Sequence, residues 1–116
     1  MSRQDLYRVL QQHALWLYAG EDGQRANLRK ADLGQVILCG VNLEAADLRE
    51  VNLEKANLEG ANLRNADLRN ANLRDANLQD ANLQKVSMCG ADLRGARLWG
   101  CTLRGTKTTI DNKQKE

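Results

Sequence analysis

His13 is the one imidazole in the chain, and with Cys39, Cys89, Cys101, Ser2 and Ser87 it makes up the side chains that could act as base, nucleophile or soft metal ligand. Acyl transfer would need a serine or cysteine held beside that imidazole and an oxyanion site, and zinc would need several Cys and His ligands at close spacing. The cysteines stand 50 and 12 residues apart, and no second histidine accompanies them. No catalytic residue, metal site or cofactor is therefore expected, and His13 reads as a packing residue. Nor do the glycines have the spacing of a phosphate cradle.

The rest of the composition narrows the choice further. A chain of 116 residues with no Phe, no Pro and 3% aromatic content is one small domain without an ordinary aromatic core. Seventeen basic residues against fifteen acidic ones leave a net charge of +2, too little to mark a polyanion-binding surface. The apolar stretch from Ala14 to Ala19 falls well short of the roughly 20 residues that span a bilayer. No membrane association is expected, and three cysteines without a disulfide framework suit the reducing cytoplasm.

What must hold these residues is a repeat. From Ala26 to Gly105 every fifth residue is Leu, with Met88 the one exception in sixteen units. Two positions earlier stands Ala in eleven units, Val in four and Cys101 in one. Between them lies Asn or Asp in twelve units, with Ile37, Ser87, Arg97 and Thr102 as the departures. On an α-helix, five residues advance about 140° beyond a full circle, which scatters the leucines around the axis. In a continuous strand an odd period sends successive leucines to opposite faces. Only a turn inside each unit, resetting the phase, lets Leu and its small neighbour point inward every time. That describes one side of a solenoid.

Units such as Ala61-Asn62-Leu63-Arg64-Asn65 and Ala66-Asp67-Leu68-Arg69-Asn70 resemble the pentapeptide repeat family, abundant in cyanobacteria and other bacteria. The resemblance implies an all-β solenoid, a right-handed quadrilateral parallel β-helix with four units per coil. The coils would be 26–45, 46–65, 66–85 and 86–105. Leu fills the inner column, Ala is kept small by the facing backbone, and Asn or Asp serves the corner by bonding nearby backbone groups. Gly40, Gly60, Gly90, Gly95, Gly100 and Gly105 end units where a turn needs positive φ.

The chain thus divides into a capping helix and connector over 1–25, the repeats over 26–105, and a flexible polar tail over 106–116. Ser2 can cap a helix over 3–19, with Met1 able to pack on Leu6 and Gly20 as its stop. Its apolar face comprises Leu6, Val9, Leu10, Ala14 and Leu17, with His13 on that face and Trp16 at its edge. Leu6, Leu10, His13, Trp16 and Leu17 are expected to pack over the open first coil, shielding an edge that would otherwise recruit other chains. The last coil has no such cover, so a homodimer through the C-terminal end is expected.

Residues 20 apart would stack on the outside. Arg29, Arg49 and Arg69 form one column, but Asp47, Asp67 and Glu50 share its face and cancel its field, which argues against nucleic acid as a partner. A second face carries Ile37, Cys39 and Trp99 with few charges, and forms the candidate contact surface for a protein partner whose identity the sequence does not reveal. Cys39 and Cys89 lie on opposite faces, too far apart to bridge, and Cys101 replaces a small inward residue. The expected function is a non-enzymatic structural or protein-interaction module. The family also includes DNA-mimicking regulators of DNA gyrase. That alternative is disfavoured by the net +2 and the short repeat.

Overall fold

The computed structural model describes residues 1–107. From Ala26 onward the chain climbs as a four-sided parallel coil. Bridges join residues 20 apart: Asn27 pairs with Asp47, Asp47 with Asp67 and Asp67 with Ser87 on one side, and the other three sides repeat the register. Four units therefore close each turn. Each side is paired through a single ladder residue, so no longer strand forms. The rungs are fully tied: the Leu48 N–H donates to the Asp67 carbonyl (2.8 Å), the Asp67 N–H to the Ala46 carbonyl (3.0 Å) and the Glu50 N–H to the Arg69 carbonyl (2.9 Å).

The corners explain the period of five. After each Leu the chain rounds one corner through a four-residue turn, as where the Val51 N–H donates back to the Leu48 carbonyl (3.2 Å). The third residue of that turn has positive φ in all sixteen units: six are glycines at 69–79° and ten are other residues at 57–64°. Positive φ at this place is the signature of a type II turn. Left-handed backbone costs a non-glycine residue roughly 1–2 kcal/mol, so Lys30, Glu50 or Lys55 would not choose it alone. The rung bonds and the preceding Asn or Asp impose it. In every one of the twelve units with Asn or Asp, its side-chain oxygen accepts the backbone N–H two residues on, from Arg29 on Asn27 to Arg94 on Asp92. Some of these amides also link the rungs, with Asn72 Nδ2 donating to Asn52 Oδ1 (3.2 Å) and Asn52 Nδ2 to Asp32 Oδ1 (2.9 Å).

Inside, the leucines and their small neighbours form one continuous column, closed to solvent from Leu43 through Leu83. A helix, α1 (Arg3–Ala19), lies against its first coil and is followed by a short 3-10 turn, Gly20–Asp22. Ser2 caps α1 by accepting the Asp5 N–H (3.1 Å), while Met1 remains half-exposed. Leu6 joins the buried column, and Val9 and Leu10 pack against it. Ala14 departs from the expected apolar face and is exposed. Its position on the helical wheel is roughly 100° from the centre of the Leu6–His13 stripe, beyond the width of one buried face.

At the other end the ladder runs past Gly105. Lys107 pairs with Ser87, its N–H donating to the Val86 carbonyl (2.8 Å) and its carbonyl accepting from Met88 (2.6 Å). Thr106 Oγ1 donates to the Leu83 carbonyl (2.5 Å). One side of the fourth coil is thus covered by residues that the sequence reading assigned to the tail. The remaining positions of that tail, 108–116, lie outside the described residues. Leu93 and Leu98 are half-buried and Leu103 is 48% exposed.

Candidate functional site

The seat of α1 is built around His13. Its side chain has no solvent exposure, its Nδ1 accepts the Ala26 N–H at 2.9 Å, and its ring stacks on Trp16 with centroids 5.6 Å apart. Accepting through Nδ1 fixes the proton on Nε2, which faces the Glu44 carbonyl without a well-formed hydrogen bond. Trp16 and Leu17 are half-buried at the margin, and Leu6 and Leu10 complete the contact. His13, Leu6 and Leu10 are brought together as one packing unit, with a task in joining helix to coil and, among the described residues, no second titratable side chain bonded to the imidazole.

Burial pushes the His13 pKa below 6.5, with the Glu44 carbonyl opposing and the Arg25 charge adding to the effect. The folded state favours the neutral ring, so its contribution to stability is whole above pH 6.5 and is lost as pH falls through the lowered value. Denaturation midpoints measured from pH 8 to 5 should drop in the wild type and stay flat in this window for His13→Asn, whose amide oxygen can still accept the Ala26 N–H. Identical slopes in both proteins would remove the imidazole from the account.

On the side formed by 26–30, 46–50, 66–70 and 86–90, charge is paired off. Arg49 clasps Asp47 through Nε (2.9 Å) and Nη2 (2.7 Å), and Arg69 holds Asp67 in the same way. Arg29 reaches Glu50 at 3.4 Å, and Arg49 Nε lies 3.9 Å from Asp67. The hydrogen bond from Arg49 lowers the Asp47 carboxyl to about 2, and Arg94 does the same to Asp92 on the adjacent side, also to about 2. Asp67 is lowered by Arg69. The arginines are tied to carboxylates, as a stripe meant for phosphates would not be.

Ile37, Cys39 and Trp99 lie on one side, as their spacing requires, but the structure does not gather them. Ile37 and Trp99 are each 76% exposed and stand three rungs apart, about 14 Å along the axis. Ile37 borders a groove with Leu6, Tyr7 and Leu10 of α1 and with Val36, so it belongs with the helix. Trp99 belongs with the open fourth coil. Cys39 is exposed and Cys89 half-buried, both unbridged. Cys101 is only half-buried, and its Sγ donates to the Leu78 carbonyl at 2.7 Å. Its inward position looks apolar in sequence, yet the Leu carbonyl beneath has a free lone pair that a thiol or, at Thr106, a hydroxyl can use. Burial raises the Cys101 pKa, which suits a donor thiol.

Two surface features escaped the sequence reading. Tyr7, Leu15 and Tyr18 of α1 are 63%, 42% and 80% exposed, so the helix carries a second, outward apolar stripe. Gly23 meets the backbone of α1 so closely that a Cβ there would lie 2.1 Å from the Trp16 nitrogen. The first was legible in the spacing of the aromatic residues, whereas the second had no local signal.

Comparison with known proteins agrees with the geometry. The profile of pentapeptide repeats matches residues 26–65, 46–84 and 71–107, in 8 copies. Among solved structures, the pentapeptide repeat protein alr5209 from Nostoc Pcc 7120 is similar with a TM-score of 0.69 and 32% identity, over 90% of this chain and 88% of that one. Rfr23 from the cyanobacterium Cyanothece 51142 is 41% identical with a TM-score of 0.56, over 73% of this chain and 62% of its own. A pentapeptide repeat protein from the Arabidopsis thaliana thylakoid lumen gives 25% identity and a TM-score of 0.50, over 77% of this chain and 71% of that one. No curated protein matches. With the quintet register, the twenty-residue rung and the matching profile all in agreement over the same stretch, the chain belongs to the pentapeptide repeat family.

Proposed function

We propose that this right-handed four-sided solenoid is a non-catalytic, rigid interaction module that acts in the cytoplasm and grips a protein partner around Trp99. The observation that carries the reading is the indole itself, 76% exposed on a scaffold whose backbone is tied rung to rung. A tryptophan buries about 150–250 Å² when covered, and such residues dominate the energetics of protein contacts. Gly100 beside it carries no side chain that could cover the indole. Because the scaffold is preorganised, docking costs little conformational entropy. The cytoplasmic assignment rests on three free cysteines, which suit a reducing compartment.

The test is affinity capture from the native host with the wild type, Trp99→Asp and Ile37→Asp. A partner lost with Trp99→Asp and retained with Ile37→Asp, at unchanged melting temperatures, supports the reading. A partner retained with Trp99→Asp overturns it. Inhibition of gyrase supercoiling by the wild type would replace it with topoisomerase regulation, a reading that the neutralised arginine columns do not favour.

A further inference from the structure

The outward stripe of α1 has the spacing of a coiled-coil seam. Tyr7, Gln11, Ala14 and Tyr18 follow one another at intervals of 4, 3 and 4 residues, the d-a-d-a rhythm of a heptad, and Leu15 flanks them. None of these side chains is buried against the solenoid: Tyr7, Leu15 and Tyr18 are exposed, and so are Gln11 and Ala14, although the Tyr18 hydroxyl accepts a hydrogen bond from Asn42 Nδ2 of the first coil (3.3 Å). The face that holds α1 to the first coil, through Leu6, Leu10 and His13, lies well round the helix from this seam. The helix is therefore amphipathic twice: one face is buried on the coil, and the ring surfaces of the other stay open to solvent.

We propose that a second copy of this chain occupies the outer face, with the two α1 helices antiparallel about a two-fold axis. The seam is complementary to itself in that arrangement. A two-fold axis between positions 12 and 13 sets Tyr7 against Tyr18 of the other copy and Gln11 against Ala14. These are the a-to-d layers of an antiparallel pair, with the small Ala14 next to the axis to let the backbones approach. The charges follow the same symmetry. Arg3 stands at the start of α1 and Asp22 just beyond its end, so opposite charges meet at each extremity when the helices run in opposite directions. The helix dipoles are then antiparallel as well, and a parallel pair would set like charges and like dipole ends together. Beside Tyr7, the groove formed with Leu10, Val36 and Ile37 extends the apolar surface onto the solenoid and gives the exposed Ile37 a role separate from Trp99. A seam on a helix about 25 Å long is a small interface, so the dimer forms and dissociates with concentration. It joins two solenoids cap to cap and leaves both Trp99 surfaces free at the far ends.

Sedimentation equilibrium over roughly a hundredfold range of concentration tests this. The wild type should rise from 13.0 kDa toward twice that mass. Ala14→Glu, an exposed and helix-compatible change, should weaken association at least about tenfold, and Tyr7→Arg should do the same should the first variant fold poorly. Arg3→Asp should weaken it, and adding Asp22→Arg to that variant should restore it, which specifies the antiparallel register. Leu103→Glu, at the opposite end, should leave association unchanged. A wild type that stays at 13.0 kDa throughout overturns the proposal. So does association that survives Ala14→Glu and Tyr7→Arg, association lost on Leu103→Glu, or failure of the charge exchange to restore it.

Discussion

Gly23→Ala should lower stability by about 3 kcal/mol, more than a surface glycine ordinarily controls. The φ of Gly23 is −129°, which any residue adopts, so conformational strain is not the reason. Space is. A Cβ at this place would stand 2.1 Å from the Trp16 nitrogen, 2.5 Å from the Gln12 carbonyl oxygen and 2.6 Å from the Leu15 carbonyl carbon. All three are backbone atoms of α1 and cannot swing aside as a flexible side chain would. The methyl group must push the connector away from the helix. That breaks the bond from the Gln24 N–H to the Gln12 carbonyl (3.0 Å) and loosens the nearby bond from Ala26 to His13 Nδ1. The expected result in thermal denaturation is a fall in the midpoint of about 12–24 °C, with the helical signal at 222 nm lost first. A melting curve superimposable on the wild type would show that the connector does not press on α1.

Leu68→Ala should be at least as damaging, by about 2.7–5 kcal/mol. Leu68 has no exposed surface, and leucines of the rung below and Met88 above enclose it along the column. The surrounding backbone cannot collapse into the cavity, because Leu68 itself donates to Ser87 (2.7 Å) and its carbonyl accepts from Ala71 (3.1 Å). Relaxation at one rung would have to strain the next. Leu103→Ala is the control. With 48% of its surface already exposed, it should cost about 1 kcal/mol or less, as measured by urea denaturation of both variants. Equal losses at the two positions would contradict a column that is closed in the middle and open at the end.

The quintet rhythm alone specified a solenoid, because neither a helix nor an uninterrupted strand can bury every fifth side chain. The number of sides was not legible from it: a turn in each unit is compatible with three, four or five, and four came from the family resemblance and then from the bridges 20 apart. The role of Asn and Asp was readable because their chemistry is local. The left-handed backbone of Lys30, Gln35, Ala45 and Lys55 was not, since these residues avoid that conformation in isolation and adopt it under the rung bonds. The same division runs through the surfaces. Which residues share a side follows from counting, and Ile37 and Trp99 do fall on one side. Their separation along the axis depends on where α1 and the open end lie. Gly23 and the outward turn of Ala14 depend on how a helix seats on a coil, and no pattern within either element encodes that fit.

The register of 20 residues also separates two consequences of length that most folds confound. Deleting one five-residue unit from the middle of the repeats would leave inward and outward positions unaltered, yet every later side chain would be carried a quarter turn round the axis. Trp99 would then look in a new direction from an undamaged core. Losing four units would shorten the rod by one storey and return each side to its former bearing. Lineages of such chains can thus drift in height without penalty to recognition, while smaller changes in length redirect what the molecule presents.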